Sequence, residues 1–201
     1  MYVPDSFRVE NPALLAEVMR RFSFATVVCA VGDEVLTSHL PLVYDEGRNS
    51  LFGHFARAND HWKALELPRK TVAIFTGAHA YISPTMYATK PNVPTWAYTV
   101  VHAHGVPRLL DNQEATDQII AMVGYFDPAL KETHPETIER EYVSKKARGI
   151  VAFEMPIEKL EGKFKVGQNK VDADRQSAGE ALLKSEDPLV QEIGRLYLQS
   201  R

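Results

Sequence analysis

The spacing of apolar and polar positions changes several times along the chain, and each change predicts a boundary between elements. Leu14, Leu15, Val18, Met19 and Phe22 recur at helical spacing behind Asn11 and Pro12. A cap side chain followed by a residue that needs no N–H partner predicts a helix there. Phe24 to Val31 is apolar on both faces, the pattern of a strand covered on each side, and Gly32-Asp33 turns it into a second strand from Val35 to Tyr44. In that strand Leu36, Ser38, Leu40 and Leu42 share one face, while Thr37, His39 and Pro41 share the other. The proline predicts an edge or a bulge. Asn49 to His54 predicts a third strand, running into FARANDHWKALEL, where Asn59 caps a helix with Trp62 and Leu65. Lys70 to Gly77 and Ala78 to Ile82 read as two strands parted by a glycine turn.

The next stretch, Tyr81 to Gly105, reads YISPTMYATKPNVPTWAYTVVHAHG. Pro84, Pro91 and Pro94 exclude a helix interior and predict a constrained loop. From Thr95 the residues are strand formers, and on a strand Trp96, Tyr98, Val100, His102 and His104 fall on one face. Such a ladder of rings suits a planar ligand, and it equally suits an ordinary buried strand whose Tyr and His bond to backbone. Asp111 and Glu114 then form a D-x-x-E capping signature before Ile119, Ile120, Met122 and Val123, with Gly124 and Pro128 marking the end of that helix. Thr137 to Lys146 reads as a polar helix, Ile150 to Leu160 as a strand, Asp172 to Leu183 as a helix, and Asp187-Pro188 starts another with Leu189, Ile193 and Leu196.

About six or seven strands without β-α-β alternation, and helices at both ends, predict an α+β fold, mainly antiparallel: a small barrel with helical decoration. The 201 residues form one domain, 1–201, with 170–201 as a C-terminal helical extension. No G-x-G-x-x-G, G-x-x-x-x-G-K-[ST] or G-x-S-x-G occurs, so the signatures of dinucleotide sites, P-loops and serine hydrolases are absent.

Composition narrows the functional classes. A hydrophobic share of 45% supports a real core, and the net charge of -3 argues against a broad phosphate-tracking surface. The single cysteine, Cys29, lies in the apolar run FATVVCAV and reads as core in a reducing compartment. With no apolar leader in MYVPDSFRVENP and no run long enough to span a bilayer, the expectation is a cytoplasmic protein with no membrane association.

Two segments carry candidate chemistry. The strand that ends at the Asn59-capped helix presents backbone N–H groups, with Arg57 beside them, an arrangement that holds a phosphate monoester; Asp60 in the first turn competes for the same place. His102 and His104, with His39 or His54, are weighed as metal ligands. No nearby acidic residue supplies a partner for them and no Cys-x-x-Cys pair exists, so no metal ligand is assigned.

Four segments together resemble one family: MYVP with Phe7, HFARANDHW at 54–62, the 81–105 stretch with its W-x-Y-x-x-V-H ending, and EGKFKVGQN at 161–169. They are similar to PaiB-like FMN-binding negative transcriptional regulators. The resemblance implies a split β-barrel binding FMN, shared with pyridoxamine-phosphate oxidases and flavin reductases, and a homodimer with the flavin site at the subunit interface. It implies that Arg57, Ala58 and Asn59 surround the phosphate, that Thr37, Ser38, His39 and Leu40 lie along the isoalloxazine edge, and that His54 is among the cofactor-binding residues. The resemblance further implies that Trp96 and His102 line the same pocket and that Lys163 and Gln168 reach the neighbouring subunit's flavin. Gly167 departs from the family pattern, which commonly has serine before Gln-Asn. Promoter DNA is a partner by this resemblance alone; an FMN-dependent oxidoreductase or flavin reductase is the alternative, and a barrel without flavin is a third.

Overall fold

The computed structural model describes residues 1–200. In chain order the elements are β1 (Arg8–Val9), α1 (Pro12–Arg21), β2 (Phe24–Val31), β3 (Glu34–Pro41), β4 (Val43–Asp45), β5 (Ser50–Ala56), β6 (Thr71–Ile82), β7 (Thr95–Gly105), β8 (Arg108–Leu109), α2 (Asn112–Phe126), α3 (Leu130–Thr133), α4 (Arg140–Ala147), β9 (Ile150–Lys165), α5 (Asp172–Leu183) and α6 (Pro188–Gln199). Short 3-10 helices span Asp5–Phe7, Asp60–Glu66, Pro84–Met86 and Pro135–Ile138. The nine strands join in the order β3-β2-β6-β7-β9-β5-β4, and β1 and β8 each pair with β9. The fold is α+β and mainly antiparallel. Two compact units divide the chain: Met1–Arg21, Thr76–His102 and residues 161 onward form the first, and Phe22–Phe75 with Ala103–Leu160 form the second.

In the first unit α1 buries Leu15, Ala16, Val18 and Met19, the stripe that the helical spacing predicts. Asn11 accepts from the Ala13 N–H at 3.0 Å, as a cap should. Helices α5 and α6 cross at two glycines: a Cβ on Gly194 would stand 2.9 Å from the Gly179 carbonyl oxygen, so only hydrogen at these positions allows the backbones to meet. The proline loop is tied to α5. Asp174, 3% exposed, accepts from the Thr89 N–H at 2.7 Å and the Thr89 hydroxyl at 2.8 Å. Ser177 donates to the Met86 carbonyl at 2.7 Å, and Lys170 donates to Asn92 at 2.6 Å. The loop's rigidity therefore comes from α5 as well as from its prolines.

In the second unit β2 and β3 form the predicted hairpin, with Val27 opposite Ser38 and Val31 opposite Glu34. Gly32, at φ 59, supplies the left-handed turn residue. Strand β5 pairs antiparallel with β9 from Ser50 opposite Pro156 to Ala56 opposite Ile150. Ala25, Val27, Cys29, Leu40, Leu42, Leu51, Phe55, Phe75, Phe153 and Met155 are buried. The capping box at α2 forms in full: Asp111 accepts from the Gln113 and Glu114 N–H groups, and Glu114 accepts from the Asp111 N–H.

Several expectations are corrected. Strand β2 is buried on one face only, since Phe24 is 70% exposed. Residues 71–82 form one strand without a turn; at Gly77 and Ala78 two consecutive residues are buried, so the inside-outside alternation shifts by one there. The glycine marks a change of face. The segment capped by Asn59 is a seven-residue 3-10 helix. Gly124 lies inside α2. Strand β9 continues past Leu160 to Lys165, where β1 pairs with it at Gly162 and Lys163. The polar helix of 137–146 is divided between the 3-10 turn at Pro135–Ile138 and α4.

Candidate functional site

Strand β3 lies at one end of the strand order, and its alternation sends Ser38 and Leu40 inward while Thr37 and His39 face solvent. The second unit brings this strand to the segment that follows β5. The Ser38 hydroxyl accepts from Asn59 Nδ2 at 3.0 Å and meets His61 Nδ1 at 2.9 Å. Asn59 Oδ1 in turn accepts from the His61 N–H at 3.1 Å. His61, 4% exposed, also reaches Cys29 Sγ through Nε2 at 3.2 Å. This buried network locks the Thr37–Leu40 and Arg57–Asn59 segments to each other. His61 is the residue that sequence reasoning passed over; its place two residues after the cap, inside HFARANDHW, is the only signal for it.

Burial pushes the His61 imidazole below its ordinary pKa and pushes the Cys29 thiol up, against a smaller opposing pull from Arg69. The pair is therefore imidazole and thiol, not imidazolium and thiolate, and has no nucleophile. His54, on β5, is also held low by burial. Its Nδ1 is a buried polar atom without a protein partner.

Arg57 is fixed by the turn before β9. Its Nε donates to the Arg148 carbonyl and its Nη2 to the Ile150 carbonyl, both at 2.7 Å. Nη1 makes no hydrogen bond among the described residues, so one face of a pre-oriented guanidinium is left for an anion. The nearby backbone is more occupied than the sequence suggests: the Arg57 N–H bonds Gly149 O and the Asn59 N–H bonds Ala56 O, both at 2.9 Å. Asp60 pairs with Lys63 at 2.8 Å. The backbone here therefore offers few free N–H groups to an anion, and the Arg57 guanidinium, with Ala58 exposed beside it, is the group left to meet one. His39 Nδ1 meets the Thr26 hydroxyl at 3.0 Å, and its ring stacks on Phe24 with centroids 6.3 Å apart. The Thr37 hydroxyl has no hydrogen bond among the described residues. Outward Thr37 and His39, with the open Nη1 of Arg57, are a donor set that fits the carbonyl and nitrogen edge and the phosphate of a flavin nucleotide.

The remaining expected site residues belong to the first unit. On β7 the ladder face is the more open one: Trp96 is 55% exposed, while Ala97, Thr99 and Val101 opposite are buried. Trp96 packs against Tyr81 at 6.0 Å and His79 at 6.3 Å, so β6 contributes two rings that the ladder reading left out. Lys163 is 9% exposed. Its Nζ donates to the Tyr2 carbonyl at 3.2 Å and lies over the Tyr98 and Tyr2 rings at 5.3 and 5.5 Å, held by cation–π attraction within its own chain. Gln168 closes a turn, accepting from the Val166 N–H at 2.8 Å and donating to the Phe164 carbonyl at 2.6 Å. Gly167 before it has φ 83, and a Cβ there would stand 2.6 Å from the Tyr197 ring. Serine does not fit this position. His102 has an acidic neighbour that spacing does not announce, since a Glu161 carboxylate oxygen lies within 4.8 Å of its ring nitrogen; that carboxylate also accepts from the N-terminal ammonium at 3.0 Å.

Comparison with known proteins assigns these features to a family. Residues 1–159 match the family described as "Putative FMN-binding domain". The chain is 30% identical over 204 residues to "Protease synthase and sporulation protein PAI 2" of Bacillus subtilis (strain 168), covering 98% of this chain and 96% of that one. Among solved structures, the FAD and heme binding protein from Mycobacterium smegmatis superposes with a TM-score of 0.65 at 13% identity, covering 80% of this chain and 74% of that one. The flavocytochrome Anf3 from Azotobacter vinelandii does so with a TM-score of 0.65 at 14% identity, covering 80% and 70%. At such identities the likeness establishes the fold, a split β-barrel, and nothing further. With a family match over most of its length and a relative that spans nearly all of it, the chain belongs to the PaiB-like family of FMN-binding proteins, and FMN is the cofactor of that family.

Proposed function

We propose that the protein is a cytoplasmic homodimer that holds FMN and acts as an FMN-dependent negative transcriptional regulator. The observation that carries this reading is the end-to-end match to PAI 2, a sporulation protein by name. Arg57 binds the phosphate through Nη1, while its two bonds to the Arg148 and Ile150 carbonyls keep the guanidinium from swinging away. Thr37 and His39 offer hydrogen bonds to the ring edge, and Ser38, Asn59 and His61 hold that strand in register behind them. Leu40 and Ala58 shape the two segments, and neutral His54 offers its unpartnered Nδ1. Trp96 and His102 serve as ring contacts, and Lys163 and Gln168 serve the flavin of a second copy. When bound, the isoalloxazine supplies reversible redox chemistry and a state that a regulator can read. Among the described residues no helix is long and apolar enough to cross a membrane.

The test is recovery of DNA with the flavin-loaded protein from cells, followed by mobility shifts on the recovered fragments. Sequence-specific complexes that weaken with salt are expected; loss of all DNA preference at physiological salt overturns the regulatory role. A second reading, an FMN-dependent oxidoreductase of the flavin reductase type, is favoured by the open ring surface of Trp96, Tyr81 and His79, on which a second planar substrate has room to stack. Steady oxidation of reduced nicotinamide in the presence of FMN supports it, and its absence removes it.

A further inference from the structure

A cavity of about 510 Å³ opens in the second unit between α2 and strands β4 and β5, within the size range of small-molecule sites. None of its lining residues belongs to the flavin set. Val43, Phe52, Leu110, Met122 and Tyr125 make most of its wall apolar. The polar groups on the wall have a definite sense. Arg108 spends Nε and Nη2 on Glu154 at 3.0 and 2.6 Å, and Nη1 on Glu114 at 3.1 Å. Arg48 gives Nη2 to Glu154 at 2.9 Å and covers the Phe52 ring at 4.9 Å. Glu154 is buried, so the two guanidiniums act mainly to neutralise it, and Asp45, Glu114 and Asp117 also line the space. An anionic ligand finds little here. Gln118 is the polar group on the wall that lacks a partner. Gln118, 7% exposed, turns its amide nitrogen toward the Gly53 and Phe153 carbonyls at 3.4 and 3.5 Å, which fixes the amide's orientation. Its Oε1 is left buried without a protein donor.

We propose that this cavity is a second binding site, for a small aromatic molecule that is neutral or cationic and carries an N–H donor, such as an aromatic amide or amine. The aromatic body rests against Phe52, Met122 and Tyr125, and the N–H satisfies Gln118 Oε1. The test uses the full chain loaded with FMN, labelled with ¹⁵N, and titrated separately with benzamide, benzylamine and benzoate, three molecules of one shape and different charge. Saturable shifts at Phe52, Leu110, Met122 and the Gln118 side-chain amide are expected with benzamide, benzylamine or both, with flavin fluorescence unchanged, and none with benzoate. Gln118→Leu should weaken binding about fivefold, the loss of one neutral hydrogen bond, without lowering the thermal midpoint. Ala121→Phe, on the exposed side of α2 where it fills the cavity mouth, should abolish binding and keeps the test open if Gln118→Leu folds poorly. No saturable shift with either donor probe, benzoate binding as tightly as benzamide, or FMN itself moving these resonances overturns the proposal. Because flavin uptake is read separately by fluorescence, failure of this site is distinguishable from failure of the flavin reading.

Discussion

Arg57 and Gly167 illustrate how single residues take their meaning from what surrounds them. Arg57 is a surface arginine by exposure, yet two of its nitrogens are committed to main-chain carbonyls, so its remaining donor is aimed before any ligand arrives. Arg57→Ala should weaken FMN binding by about 1.5 to 3 kcal/mol, the range for hydrogen bonds to charged groups. Calorimetric titration checks this, and an unchanged affinity would take Arg57 out of the phosphate site. Gly167 combines φ 83 with a Tyr197 ring 2.6 Å from where a Cβ would lie. Gly167→Ala should therefore cost more than about 1 kcal/mol of folding stability, read as a lower urea midpoint at constant slope. His54 and His61 add a pH dependence. Burial lowers both imidazoles from the ordinary value of 6.5, so the unfolded chain takes up protons first as pH falls. Their contribution is whole above about pH 6.5 and shrinks below it, toward the folded-state values. Urea midpoints should fall between about pH 7 and 5, and less steeply in His61→Gln; an identical slope in that variant would assign the loss to other groups.

At the scale of elements, local signals were sufficient where hydrogen bonds close within a few residues. The caps of α1, α2 and α6 stand where Asn11, Asp111 and Asp187 predict them, because a cap is satisfied inside its own first turn. Asp111→Ala should cost about 1 kcal/mol, with hydrogen exchange accelerated first in the opening turn of α2; uniform exchange along the helix would mean that the box does not set its start. Strand ends were less legible. Gly77 reads as a turn in isolation, but it lies inside β6 as the place where the faces exchange. The extension of β9 to Lys165 depends on β1 pairing at Gly162 and Lys163, a contact between residues more than 150 positions apart that no local window contains.

For the whole molecule, the proposal that a second copy completes the flavin site has a direct consequence. Dilution should release FMN in step with dissociation of the dimer, followed by sedimentation and flavin fluorescence on the same samples. A monomer that retains FMN would contradict a shared site. Lys163 and Gln168 bear on this: each is satisfied within its own chain, so any bond to another copy's flavin must use the remaining protons of the Lys163 ammonium or the outer face of the Gln168 turn.

The amino-acid sequence by itself determined α1, α2 and α6 with their N-terminal caps, the β2–β3 hairpin, the buried place of Cys29 and, through its four motif segments, the flavin family. These rest on short-range hydrogen bonding and on residue types at fixed spacing, which survive without knowledge of the fold. Only the tertiary structure decided which face of β7 is open, that Arg57 is aimed by the turn before β9, that His61 ties the Thr37–Leu40 and Arg57–Asn59 segments together, and that Gln118 has an acceptor with no donor beside a cavity. Each of these depends on where distant segments meet, and a buried atom is satisfied or left wanting by neighbours that the order of residues alone does not reveal.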